Sequence, residues 1–183
     1  MIFPFKRILP HVKRVITYSL LLYLIYPASP VLFDKFLSLK EPHFICPVKI
    51  EGDIPIRYDS MGDGHFHARR SGGRRKHKGI DILGKVGTPV YASKSGLVKT
   101  GIVPRGMGKY VKIAHIDNHM SVYGHLSKVT VEDKTWVWRG QKIGEIGKTG
   151  NANYRNMKPH LHFEIRDEGK AKDPMTYLTT VTQ

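Results

Sequence analysis

Six residues near the C-terminal end, His160-Leu161-His162-Phe163-Glu164-Ile165, alternate polar and apolar without a break. Successive side chains of an extended strand leave opposite faces, so Leu161, Phe163 and Ile165 project from one side and the two imidazoles and the carboxylate from the other. Such a strand lays its apolar face on a core and carries metal-binding groups on its back. After residue 34 the chain shows no helical periodicity. Short runs of strand character cover residues 90–92, 96–103, 110–115, 120–126 and 142–146, separated by Gly, Asn and Pro turns, and Trp136-Val137-Trp138 reads as a strand or a groove wall. The chain is therefore expected to be mainly β.

Two ring nitrogens side by side on a rigid strand lose little freedom on capturing a divalent cation, and neutral imidazole is a favoured zinc ligand. H-x-H alone is weak, since His65-Phe66-His67 repeats it in a Gly-rich stretch that reads as a solvated loop. Upstream, His77 and Asp81 stand four positions apart around Gly79, before the turn Gly87-Thr88-Pro89. Straight extension would separate their Cα atoms by about 13 Å, so joint chelation requires the chain to bend, and Gly79 supplies the freedom. A catalytic zinc keeps three protein ligands and leaves the fourth position to water. His77, Asp81 and one histidine of the later pair fill that count. The runs on either side of Asp117-Asn118 read as a hairpin with a two-residue turn. This pairing sets Val111 opposite Gly124 and Ile113 opposite Val122, and puts His125 on a polar face together with Tyr123.

In this order, His77-Lys78-Gly79-Ile80-Asp81, Gly87-Thr88-Pro89-Val90-Tyr91-Ala92 with Gly96-Leu97-Val98, Tyr123-Gly124-His125-Leu126 and His160-Leu161-His162-Phe163-Glu164 resemble the lysostaphin/LytM family of zinc metallopeptidases, which cut the peptide cross-links of bacterial peptidoglycan. The likeness runs from about Pro47 to Leu178. It implies one Zn²⁺ per chain held by His77, Asp81 and His162, with His125 and His160 beside it as the catalytic pair, one serving as base and both titrating near neutrality. Glu164 is placed either behind His162, orienting it, or in a surface ion pair, and Tyr123 either near the groove or exposed on its strand. The implied fold is a two-sheet antiparallel β domain with an open groove, LytM-like, whose walls are Gly106, Gly108 and residues 148–158.

The organisation read from the chain is an N-terminal signal-anchor or signal peptide over residues 1–34, a linker over 35–46, a LytM-like zinc peptidase domain over 47–178 and a tail over 179–183. Lys6, Arg7, Lys13 and Arg14 precede an uncharged stretch from Val15 to Phe33, the pattern of a membrane-directed helix. Tyr26 occupies a position where signal cleavage prefers a small residue, which favours an uncleaved anchor. The expected location is the bacterial cell envelope, with the domain anchored in the inner membrane facing the periplasm or exterior, or secreted if the leader is cleaved. The one cysteine, Cys46, forbids an internal disulfide. Gly147-Lys148-Thr149 mimics the end of a phosphate loop, but Lys142 stands where that loop needs glycine, so nucleotide binding is rejected.

The formal charge of +15 is densest at Arg69, Arg70, Arg74, Arg75, Lys76 and Lys78. Besides wall peptides, such a patch suits anionic envelope polymers or lipid. No specific nucleic acid is expected, because aromatic residues for base stacking are missing from it and no reading helix accompanies it. The leading expectation is a monomeric zinc endopeptidase acting on peptidoglycan. A catalytically idle wall scaffold or regulator, and a polyanion-binding protein, are the alternatives.

Overall fold

The computed structural model describes Tyr18 and residues 29–179. The chain divides into two compact units, residues 1–40 and residues 41–183. In the first, Ser29–Lys40 forms helix α1. Most of the expected leader lies outside the described residues, and among these no helix is long and apolar enough to cross a membrane.

The second unit is mainly β. Its strands are β1 (Phe44–Ile45), β2 (Tyr58–Asp59), β3 (Gly62–Asp63), β4 (Arg69–Arg70), β5 (Arg75–Lys76), β6 (Ile80–Leu83), β7 (Pro89–Tyr91), β8 (Gly96–Val103), β9 (Gly108–Ala114), β10 (His119–Val129), β11 (Trp136–Val137), β12 (Lys142–Ile146), β13 (His160–Asp167), β14 (Lys170–Lys172) and β15 (Leu178–Thr179). One nine-stranded sheet carries the path β11-β8-β9-β10-β12-β7, with β13 joined to β10, β14 and β6. Three two-stranded ribbons, β1 with β15, β2 with β3 and β4 with β5, complete the unit. The two expected sheets are thus one branched hydrogen-bonded network with small ribbons on it.

The branch lies in β10. Its first part pairs with β13 as far as Gly124 opposite His162, and its last part, from Leu126 on, pairs with β12. Between them a bulge breaks the register against β9. His125 at the bulge has φ +61°. A bulge of this kind bends the strand and re-aims a side chain, and a non-glycine residue in the left-handed region marks a locally constrained site.

Strands β9 and β10 correct the hairpin reading. Asn118, at φ +62°, closes a loop over residues 116–118, and His115 N–H donates to the His119 carbonyl at 2.9 Å. Three loop residues instead of two slip the pairing by one, so Tyr123 faces Val111 and Ser121 faces Ile113. A one-residue slip moves side chains to the opposite face.

The core contains Val111, Ile113, Tyr123, Leu126, Ile143 and Ile146 packed with Leu161, Phe163 and Ile165 of β13. Each large apolar side chain buried here contributes about 1.5–3 kcal/mol relative to exposure. The β13 alternation therefore holds its site-bearing face in place. Cys46 is a free thiol packed partly against this core, and burial pushes its pKa up.

Candidate metal centre

Strand β13 pairs with β6 so that His162 stands opposite Asp81, and with β10 so that His162 stands opposite Gly124. His77 follows β5 and reaches the same point because the chain turns across β13 at Gly79. That residue lies against the backbone of Phe163: a Cβ there would overlap the Phe163 carbonyl oxygen and come within 2.9 Å of Glu164 Cγ. The bend expected at Gly79 is present, and close approach is what demands glycine.

The three groups meet. His162 Nδ1 lies 3.0 Å from Asp81 Oδ1 and 3.0 Å from His77 Nε2, and His77 Nε2 lies 3.1 Å from Asp81 Oδ1. Donors about 2.0–2.1 Å from one tetrahedral zinc sit about 3.3 Å apart, so the trio fits that ion closely. All three residues are buried.

The proton positions favour the same conclusion. His77 Nδ1 bonds the His65 carbonyl at 2.9 Å, His125 Nδ1 the Thr149 carbonyl at 2.8 Å and His160 Nδ1 the Lys158 carbonyl at 2.7 Å. A carbonyl only accepts, so each of these Nδ1 atoms donates and each neutral ring turns a lone pair on Nε2 elsewhere. In His162 the roles are exchanged: Nε2 lies 3.0 Å from Glu164 Oε1, and Nδ1 faces the trio. Glu164 thus stands behind His162, held in turn by Arg166 Nε at 2.7 Å. Two imidazole lone pairs and a carboxylate oxygen converging at 3 Å repel one another unless a cation or proton lies among them.

Asp81 is braced from its other oxygen. Asp81 Oδ2 accepts from Arg57 Nη2 at 3.1 Å, Arg57 Nε at 3.3 Å and Arg70 Nη2 at 3.1 Å. Arg57 is only 2% exposed, and its Nη1 donates to Asp59 Oδ1 at 2.6 Å. Asp59 Oδ2 accepts the Lys158 N–H at 2.9 Å, next to the carbonyl that orients His160. Arg57 and Asp59 escaped the sequence reading, and Arg70 enters it only as part of the basic patch. The turn signal Asp59-Ser60-Met61-Gly62 marks a hairpin, but nothing in a lone arginine before it announces a ligand-bracing role.

Burial opposes ionisation of Asp81, yet hydrogen bonds from His162 and His77 and their charge hold its pKa well below the usual range. Burial also opposes a charge on His162, but the Asp81 and Glu164 carboxylates outweigh it and raise the ring to about 9. Without a cation this ring keeps a proton shared with Asp81, in the place that a cation would take. Burial, then the neighbouring His162 and His160 rings, pushes His125 down to about 3, against the pull of Thr149 and Asp81. Burial lowers His160 as well, with Asp81 opposing. The expectation of titration near neutrality is corrected for this resting state: both rings are neutral bases at pH 7.

His125 and His160 flank the trio, their ring centroids 5.0 Å apart and that of His125 5.8 Å from His162. The trio opens into a cleft of about 820 Å³, lined on the His125 side by Gly106, Met107, Asn151 and Met157. Tyr123 is not in it. The register slip buries Tyr123 completely, and its hydroxyl takes the Ser93 N–H at 2.8 Å and meets Ser121 Oγ at 2.9 Å. His115 is buried against Ser95 and Ser121, and His65, read as solvated, is 61% exposed at its side chain but lends its carbonyl to His77.

Known proteins resemble this chain in sequence and fold. The murein hydrolase activator NlpD of Escherichia coli (strain K12) is 40% identical over 103 residues, 56% of this chain and 26% of that protein. The peptidoglycan DD-endopeptidase ShyC of Vibrio cholerae is 35% identical over 116 residues, 61% of this chain and 26% of that protein. A crystal structure of a zinc containing peptidase from Vibrio cholerae superposes with a TM-score of 0.58 at 31% identity, covering 73% of this chain and 39% of that one. The chain spans about a quarter of the length of these two relatives. Residues 75–174, more than half of the chain, match peptidase family M23, and with the His77, Asp81 and His162 trio inside that match the chain belongs to peptidase family M23.

Proposed function

We propose that this chain is a zinc-dependent endopeptidase that hydrolyses peptide cross-links of bacterial peptidoglycan, with His77, Asp81 and His162 as ligands to one zinc and His125 and His160 as the catalytic pair. The observation that carries the reading is the completeness of the set. Three donors converge at 3.0–3.1 Å, and both flanking histidines are pinned through Nδ1 to a backbone carbonyl so that Nε2 is free.

Bound zinc supplies Lewis acidity to the scissile carbonyl and to the attacking water. The chain's own residues do the rest. His125 or His160 accepts a proton at Nε2 as water attacks, and a ring so charged donates to the amide oxygen or to the leaving amine. Negative charge developing on the carbonyl oxygen favours the charged ring, which relieves the unfavourable resting pKa in the step that needs a proton held. Glu164 keeps the His162 proton on Nε2, and Arg57 with Arg70 keeps Asp81 Oδ1 turned inward.

A second reading is a regulator of other wall hydrolases, favoured by the 40% identity to a murein hydrolase activator. The two separate by digestion of purified sacculi with the zinc-loaded chain and identification of new amino termini. Released fragments with one defined new terminus support the endopeptidase; no fragments, with stimulation of an added murein hydrolase, support the regulator. An envelope location with the domain outside the cytoplasmic membrane follows from either reading.

A further inference from the structure

We infer that the β4–β5 hairpin forms a cationic wall of the cleft that binds a free carboxylate of the peptide substrate, so that the site selects acidic peptides over their amidated forms. This rests on the peptidase reading for the place of the scissile bond and goes beyond it in naming the substrate's charge.

Between Arg69 and Lys78 the chain places six Lys and Arg and no Asp or Glu. Ser71 at φ +53°, Gly72 at +68° and Gly73 at +91° fold this stretch back on itself, pairing Arg69 with Lys76 and Arg70 with Arg75. Arg70 is consumed by Asp81, and Arg75 donates to Ser71 Oγ at 2.7 Å. Among the described residues no ion pair neutralises Arg75, Lys76 or Lys78. All three are exposed, and all three line the cleft next to His77. On the His125 side the lining carries no charge. Folding therefore gathers like charges at one end of a binding cleft and leaves them without counter-charge, an arrangement that costs stability and is relieved by an anionic ligand. On the peptidase reading that ligand is a peptide lying across the trio. A carboxylate on its His77 side meets the wall, while neutral groups meet Met107 and Met157.

Cross-linked muropeptide dimers, with carboxylates left free or converted to carboxamides, test this on the full zinc-loaded chain carrying His125→Ala to suppress turnover. Binding is followed by calorimetry. The free form is expected to bind about tenfold more tightly, and the triple variant R75Q/K76Q/K78Q to reduce that preference to about twofold or less, as expected for charge-assisted contacts. Raising salt should weaken the free form more than the amidated one. Equal binding of the two forms, or a preference that survives the triple change, overturns the inference. So does an indifference to amidation accompanied by triple-variant-sensitive binding to phosphatidylglycerol vesicles, which would give the wall to a membrane surface. Because binding is read without turnover, a carboxylate preference in a chain that never cleaves sacculi would sink the peptidase reading alone. Cleavage of sacculi with equal binding of both forms would sink this inference alone.

Discussion

Asp59 holds Arg57 with one carboxylate oxygen, at 2.6 Å, and the Lys158 backbone N–H with the other, at 2.9 Å. Arg57 braces Asp81, and the Lys158 carbonyl orients His160, so one side chain ties the proposed metal ligands to a proposed catalytic histidine. Outer-shell partners of this kind typically matter about ten- to hundredfold in affinity or activity. Asp59→Ala should lower kcat by that amount while zinc content stays near one per chain, and Asp59→Asn, which still accepts from Lys158, should fall between. Steady-state kinetics with metal analysis checks this; unchanged kcat in Asp59→Ala would dissolve the link.

Gly79→Ala should damage folding far more than Gly72→Ala. The new methyl has no room against the Phe163 carbonyl, and backbone cannot yield as a flexible side chain can. A loss of about 3 kcal/mol or more is expected. Gly72 at the hairpin tip has open space but φ +68°, so Gly72→Ala should cost only about 1 kcal/mol. Urea unfolding of the two variants gives the comparison, and equal midpoints would contradict it.

Tyr123→Phe separates the core from the cleft. It leaves the Ser93 N–H without its acceptor and should cost about 1–3 kcal/mol in stability. Both KM and kcat should remain at the wild-type level well below the melting temperature. A raised KM would return Tyr123 to the groove.

His115 gives the fold an acid-sensitive element. Burial pushes its pKa from an ordinary 6.5 down to about 4, with Ser95 and Asp117 opposing. The folded state therefore resists a proton that the unfolded chain accepts. Its neutral-state stability is complete above about pH 6.5 and is lost as pH falls toward 4, by an amount of order 3 kcal/mol. Thermal melts in chelator between pH 7.5 and 4.5 should show a smaller loss for His115→Gln than for wild type. Parallel losses would rule out this contribution.

The strand bearing His160 and His162 was legible because alternation alone fixes which side chains share a face, and strand β12 matches its expected limits of Lys142 and Ile146. The His77 to Asp81 bend was legible from one glycine. The place of Tyr123 was not, since it depends on whether the turn at Asn118 uses two residues or three, and either choice preserves alternation. For His125, the strand rule gave the right exposure for the wrong reason: the bulge, invisible in composition, turns it to the cleft. Arg57 and Asp59 act across about a hundred residues on Lys158, a relationship set by tertiary pairing alone. The leader expected over residues 1–34 lies mostly outside the described residues.

Zinc stoichiometry tests the central claim most directly. Elemental analysis of the full chain after reconstitution and desalting should give about one zinc per chain for wild type and His125→Ala, and near none for His77→Ala, because three protein ligands are the minimum such a site keeps. Zinc lost from His125→Ala but kept in His77→Ala, or absent from the folded wild type, would contradict the assignment of ligands and of catalytic pair together.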